Sequence, residues 1–242
     1  MLAIKRIFNL KTLYGFMFFT MAASAVYAGV RLIYAPAIRP AHSDVSVRVK
    51  SDYFLILLSC IMGVVALLIP GILRRIVRID IPSIMMIIYA VFLYCSIYLG
   101  EVRNFYYSVP HWDTILHTFS GAALGALGFS LVSILNKSES IPFDLSPFFV
   151  ALFAFCFAIT LGVVWEIYEF VMDYFFGTNM QKFALESGEL LIGQEALLDT
   201  MKDLIVDALG ALTMSVIGFI SLKYEKGWLD RFQIETSYND GA

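Results

Sequence analysis

Six stretches of this 242-residue chain are apolar over about twenty residues each: Leu13–Val30, Tyr53–Leu73, Ile81–Leu99, Thr114–Leu135, Phe148–Phe170 and Lys202–Leu222. A bilayer's hydrocarbon core is roughly 30 Å thick, and about 20 helical residues at ~1.5 Å each cross it. Lipid offers backbone N–H and C=O groups no water, so a segment that crosses must satisfy them internally, as a helix does. The expected fold class is therefore all-α, a polytopic transmembrane helix bundle forming a single integral membrane domain over 1–242. The content of 60% hydrophobic and 15% charged residues agrees with this and excludes an ordinary soluble domain. The bilayer is the expected partner. With no basic stripe and no glycine-rich phosphate loop, nucleic acid is not. Cys60, Cys95 and Cys156 all lie in apolar runs and read as buried thiols rather than a disulfide framework.

Asp80 and Pro82 mark an ordinary helix start for the third span, and Pro70-Gly71 suggests a kink or an early stop in the second. Lys5, Arg6 and Lys11 ahead of the first span, with Val26-Tyr27-Ala28 near its end, resemble a signal peptide. That apolar run is long for such a peptide, so an uncleaved helix is the preferred reading. With both termini cytoplasmic, ten Lys and Arg fall inside, among them Lys5, Arg6, Arg74, Arg75, Arg78, Lys137 and Arg231, against seven outside, among them Arg39. Thirteen of the twenty acids then lie outside, which makes the outer mouth electronegative. Trp112 and Trp165 mark the outer interface and Trp228 the inner one. The connection Gly177–Leu198 carries Glu186, Glu189 and Glu195 and is expected to be a short interfacial helix or a lid. Tyr34–Asp52 reads as another outer loop, and the tail after Lys223 as polar and loosely ordered.

Three spans bring ionisable residues to that outer mouth. The fourth opens His111-Trp112-Asp113-Thr114-Ile115-Leu116-His117, with Asp113 and His117 four apart on one helix face. The fifth ends with Glu166, Glu169 and Asp173 at i, i+3 and i+7, and the sixth begins with Asp199, Asp203 and Asp207 at i, i+4 and i+8. A carboxylate well inside the apolar zone costs on the order of 2.5–3.5 kcal/mol on insertion scales, and neighbouring carboxylates repel. Only Lys202 and Arg103 are nearby basic partners. A divalent ion would fill the deficit, and ligand pairs at i, i+3 and i, i+4 on separate helices are how metal sites in bundles are built. The expected ligands are Asp113, His117, Glu166, Asp203 and Asp207. The mixed His/carboxylate set suits Mn, Fe or Zn, and Mg where carboxylates dominate. Asp113-Thr114-x-x-His117 also matches Asp199-Thr200-x-x-Asp203, as in a weak internal repeat with two parallel helices feeding one centre.

Plainer roles exist for several of these residues. Asp113 and Asp199 stand where a helix N-cap belongs, Glu169 and Asp173 read equally as solvated helix ends, and His111 follows Pro110 in a loop. Gly121, Gly125 and Gly128 form the small-residue pattern of close helix packing. Ser120 follows His117 closely, but no nucleophile elbow surrounds it, so serine hydrolysis is not expected.

At His111-Trp112-Asp113-x-x-x-His117, Trp165-Glu166-x-x-Glu169, Asn179-Met180-Gln181 and Asp199-Thr200-x-x-Asp203-Leu204-x-x-Asp207-x-x-Gly210-Ala211, the chain resembles the YjdF-like bacterial multi-pass membrane proteins. It is more distantly similar to VanZ-like proteins, from whose Asp-Lys-x-x-His pattern it departs at Thr114. The resemblance spans about residues 83–219 and implies an inner or plasma membrane location. Three functions fit the residues. One is a divalent-metal-dependent enzyme acting at the outer leaflet on a lipid headgroup or lipid-linked envelope precursor, with Glu169 or His111 as general base or proton shuttle. The others are a proton or cation transporter relaying through Asp207, Glu166 and His117, and a non-catalytic membrane partner whose polar cluster joins helices.

Overall fold

A computed structural model describes residues 10–38, 47–136, 145–229 and 234–236. Lys5, Arg6, Arg39, Lys137 and Arg231 of the charge count lie outside the described residues. Among the described residues the regular structure is helical apart from an isolated bridge in the connection after the fifth span and a two-residue antiparallel ladder that pairs Ile79 with Thr236 and Asp80 with Glu235. The helices are α1 (Leu10–Tyr34), α2 (Lys50–Ile76), α3 (Ser83–Leu93), which continues as a π-helix over Tyr94–Val102, the short α4 (Phe105–Ser108), α5 (Trp112–Asn136), α6 (Pro147–Phe176) and α7 (Gln194–Lys223). Six of these segments are long and apolar enough to cross a membrane, α3 counting together with its π-helical continuation. All six expected spans are present.

The largest differences in span limits fall at the acid-bearing ends. α6 runs on to Phe176 and α7 begins already at Gln194. An acid ends an apolar run without ending backbone hydrogen bonding, so these helices outlast their lipid-compatible stretches. Asp199 is consequently the sixth residue of α7 rather than its cap. Asp113 is the second residue of α5, placed to meet the helix dipole from within the first turn.

Two compact units divide the chain. The first comprises the described residues to Ile69, Ile87–Trp112 and Glu169–Leu197; the second comprises Pro70–Met86, Asp113–Tyr168 and the described residues from Leu198 on. In the first unit, Met17, Met21, Leu67 and Ala90 form one buried cluster, and Ala28, Ala35, Tyr53, Ile56 and Cys60 form another. Pro70-Gly71 does not stop α2. Proline has no N–H to give the Ala66 carbonyl four residues back, and the Tyr89 hydroxyl donates to that carbonyl instead at 3.0 Å. Arg48 likewise donates to the Glu101 and Val102 carbonyls, at 3.3 and 3.1 Å, where the π-helix ends.

The connection after α6 is a hairpin rather than a helix. Ala184 and Leu190 form an isolated antiparallel bridge, with Gly188 at φ 89° in the turn. Its foot is clamped by Asp173, which is buried and not a solvated helix end. The Asp173 carboxylate accepts from the Thr178 hydroxyl (2.6 Å) and from the Met180 and Gln181 N–H groups (2.8 and 2.9 Å). Lys182 lies over the Tyr106 and Tyr107 rings, and Asn104 donates to Glu186 at 3.1 Å, tying the hairpin to α4.

In the second unit, α5 meets α7 backbone to backbone. A Cβ on Gly121 would overlap the Asp207 carbonyl, and one on Gly210 would overlap the Thr118 carbonyl. Gly128 meets the Ala154 backbone of α6 in the same way, its added Cβ 2.8 Å from Cα. The small-residue pattern thus sets the helix spacing, as expected. Phe129, Val132, Val150, Ala151 and Ala154 close the core below. No cysteine is in a disulfide among the described residues. Cys60 is buried as expected, but Cys95 is half-buried and Cys156 exposed, because in a membrane protein an apolar run can face lipid as readily as a core.

Tyr89→Phe should lower thermal stability in detergent by about 1–3 kcal/mol, the cost of leaving the part-buried Ala66 carbonyl unpaired, measured against a lipid-facing Tyr→Phe control. Asp173→Ala should leave the helices intact, as read by circular dichroism, and open the hairpin at 177–193 to limited proteolysis.

Candidate metal centre

Three helix faces of the second unit converge on one polar point. Asp113 and His117 project from the first two turns of α5, Asp203 and Asp207 from consecutive turns of α7, and Glu166 from α6. Glu166, Asp203 and Asp207 are 5%, 2% and 3% exposed, and His117 is 9% exposed. Helical spacing of four puts each pair on one stripe, and the glycine contacts at Gly121 and Gly210 draw the α5 and α7 stripes together.

The His117 ring faces acids on both sides. Nε2 lies 3.6 Å from Asp113 Oδ1 and 4.0 Å from Asp203 Oδ2, and Nδ1 lies 3.2 Å from Asp207 Oδ2. The Ser120 hydroxyl donates to Asp207 Oδ1 at 2.7 Å and shares that hydrogen with the His117 carbonyl at 2.8 Å. Among the described residues, His117 is the only cation within ion-pairing distance of Asp113, Asp203 and Asp207. One imidazole carries at most one positive charge, so the carboxylates outnumber it.

The remaining oxygens are unsatisfied. Both Glu166 carboxylate oxygens, Asp203 Oδ1 and Thr114 Oγ1 are buried without a hydrogen-bond partner. Thr200 lies beside Glu166, yet no hydrogen bond of ordinary geometry reaches either carboxylate oxygen. Each orphaned buried group of this kind costs about 1–3 kcal/mol, and more when charged, so a cluster of them signals a missing partner.

One ligand atom each from Asp113, His117 and Asp203 can be chosen so that all lie within 4.8 Å of one another. The separations of 3.6 and 4.0 Å are long for hydrogen bonds. Two ligands at ~2.0–2.1 Å from a tetrahedral ion stand about 3.4 Å apart, so a small contraction would close this triad on a cation. A His and two carboxylates form a donor set that suits Mn, Fe or Zn.

The other expected residues are not part of the triad. Asp207 joins the cluster on the far side of the ring, at Nδ1. Glu166 is in the same buried neighbourhood but outside the triad. His111 is exposed, with a left-handed backbone (φ 60°), and Glu169 is buried; both belong to the first unit. Two residues of the centre carry no sequence signal for their part in it. Ser120 holds Asp207, and Gly162 of α6 packs against the Asp207 carboxylate, where an added Cβ would stand 2.9 Å from Oδ2.

The surroundings of the centre recur in other proteins. Residues 37–224 match the model of a family described as "Predicted membrane protein (DUF2238)". A protein of Thermotoga maritima, described as an uncharacterized protein, is 33% identical over 151 residues, covering 61% of this chain and 68% of that one. No solved structure matches the chain. The match over residues 37–224 takes in every residue of the polar centre and all but the start of the helical fold, and the chain belongs to the DUF2238 family of predicted membrane proteins.

Proposed function

We propose that this membrane protein binds a divalent cation on Asp113, His117 and Asp203 at headgroup depth, and that the site hydrolyses a lipid headgroup or a lipid-linked envelope precursor at the outer leaflet of the cell membrane. The observation that carries this reading is the set of buried, unpaired oxygens on Glu166 and Asp203 around a triad spaced for an ion.

Depth follows from counting residues. Glu166 is the twentieth residue of α6, His117 the twentieth from the end of α5, and Asp203 the twenty-first from the end of α7. Successive spans alternate in direction, so all three counts start on one side of the membrane. About 20 residues cross the hydrocarbon core, and each count therefore stops where acyl chains meet headgroups. A site at that level faces ester and phosphate bonds.

A divalent ion there would supply Lewis acidity to a phosphoryl or carbonyl oxygen and would acidify water. Glu166 would accept the proton, since both of its oxygens are free of hydrogen bonds and its helix packs beside the triad. The excess of acids on the helix ends at the proposed outer mouth would favour cation entry over the entry of free anions.

Transport is the second reading. Ser215, deeper in α7, has a buried unpaired hydroxyl, but beyond Asp207 that helix offers no further acid or histidine before its end at Lys223.

Protein purified without chelators should contain about one Mn, Fe or Zn ion per chain by elemental analysis. Asp203→Ala and His117→Ala should each lose it. Wild-type protein free of metal, with thermal stability unmoved by added divalent ions, would refute the site. Glu166→Gln should keep the ion and slow headgroup release from mixed-lipid vesicles by about 100-fold or more. Unchanged release would remove Glu166 from the chemistry.

A further inference from the structure

We propose that Asp207 is not a ligand of the ion but the residue that aims His117 at it, held in position by Ser120 and Gly162; this rests on the cation site proposed above. The two nitrogens of an imidazole point in divergent directions. Here Nε2 faces Asp113 and Asp203, while Nδ1 faces Asp207 at 3.2 Å. An ion held by Nε2 lies beyond the reach of an oxygen that accepts from Nδ1 on the other side of the ring.

The satisfaction of the oxygens separates Asp207 from its neighbours. Asp203 Oδ1 and both Glu166 oxygens are buried and unpaired. Both Asp207 oxygens are already engaged: Oδ2 faces His117 Nδ1 at 3.2 Å and Oδ1 accepts from Ser120 at 2.7 Å. Its space is equally spoken for. An added Cβ at Gly162 would stand 2.9 Å from Oδ2 and 3.5 Å from Cγ, and one at Gly121 would overlap the Asp207 carbonyl. A carboxylate walled in and doubly hydrogen-bonded acts as an acceptor that keeps the proton on Nδ1 and leaves the Nε2 lone pair for the ion. Gly162 is thus a positioning residue, at which the smallest side chain would displace the group behind the ligand.

Histidine-selective ¹⁵N labelling suits the test because the chain has three histidines, His42, His111 and His117. In zinc-loaded wild-type protein, His117, assigned by its absence in His117→Ala, should bind zinc through Nε2 and retain the proton on Nδ1. Asp207→Ala should weaken zinc binding about 10–100-fold without abolishing it, unlike Asp203→Ala. Asp207→Asn, which keeps an acceptor oxygen, should fall between wild type and alanine and preserve Nε2 ligation. Gly162→Ala, which removes no polar group, should weaken zinc binding about 10-fold. Ligation through Nδ1, wild-type affinity in both Asp207→Ala and Gly162→Ala, or complete loss of zinc in Asp207→Ala would each overturn the role while leaving the cation site in place. Wild-type protein that binds no zinc, manganese or iron would overturn the role and the site together.

Discussion

Where α5 crosses α7, Gly121 leaves no room for a side chain against the Asp207 backbone, and Gly210 leaves none against Thr118. Two helices that touch backbone to backbone bring the side chains flanking the contact together as well. One turn before Gly121 stands His117, and one turn before Asp207 stands Asp203. The contact therefore places an imidazole and two carboxylates in one small volume, and α6 adds Glu166. Bulkier residues at the crossing would hold the helices apart, and the acids would then be separate costs with no common centre. Close packing of small residues is an ordinary means of joining membrane helices. Here it also concentrates negative charge.

That charge is buried, where it is expensive. Hydrocarbon solvates a carboxylate poorly, and His117 cannot balance the acids around it. The buried oxygens Oδ1 of Asp203 and Oε1 and Oε2 of Glu166 are unpaired, whereas both oxygens of Asp207 have hydrogen-bond partners. An arrangement in which one face is satisfied and the other is not differs from a cluster that merely joins helices, which would pair its polar atoms internally.

The spans were legible in the sequence because lipid imposes a single backbone solution on any long apolar run. The acid pairs were legible for a similar reason, since i, i+4 spacing fixes a face whatever the helix packs against. Helix ends were not. The helical state at 171–176 and 194–201 depends on backbone bonding that polarity does not reveal, so Asp199 looked like a cap when it is the sixth residue of α7. Asp173 looked solvated because its three donors come from a loop whose course follows from tertiary contacts. The role of Asp207 turns on which ring nitrogen it meets, and spacing says nothing of that. Gly162 gave no signal, because its part is the absence of a side chain at a contact made across helices. Pro70-Gly71 read as a kink or an early stop, and the Tyr89 hydroxyl that supports the continuing helix is nineteen positions away.

The most direct measurement of a shared cation at this crossing is X-ray absorption on the zinc-loaded protein. Nitrogen and oxygen neighbours at about 2.0–2.2 Å, with multiple scattering from one imidazole that disappears in His117→Ala, would bear out the account. A sulfur shell near 2.3 Å, or a spectrum of fully hydrated zinc indifferent to His117, would contradict it.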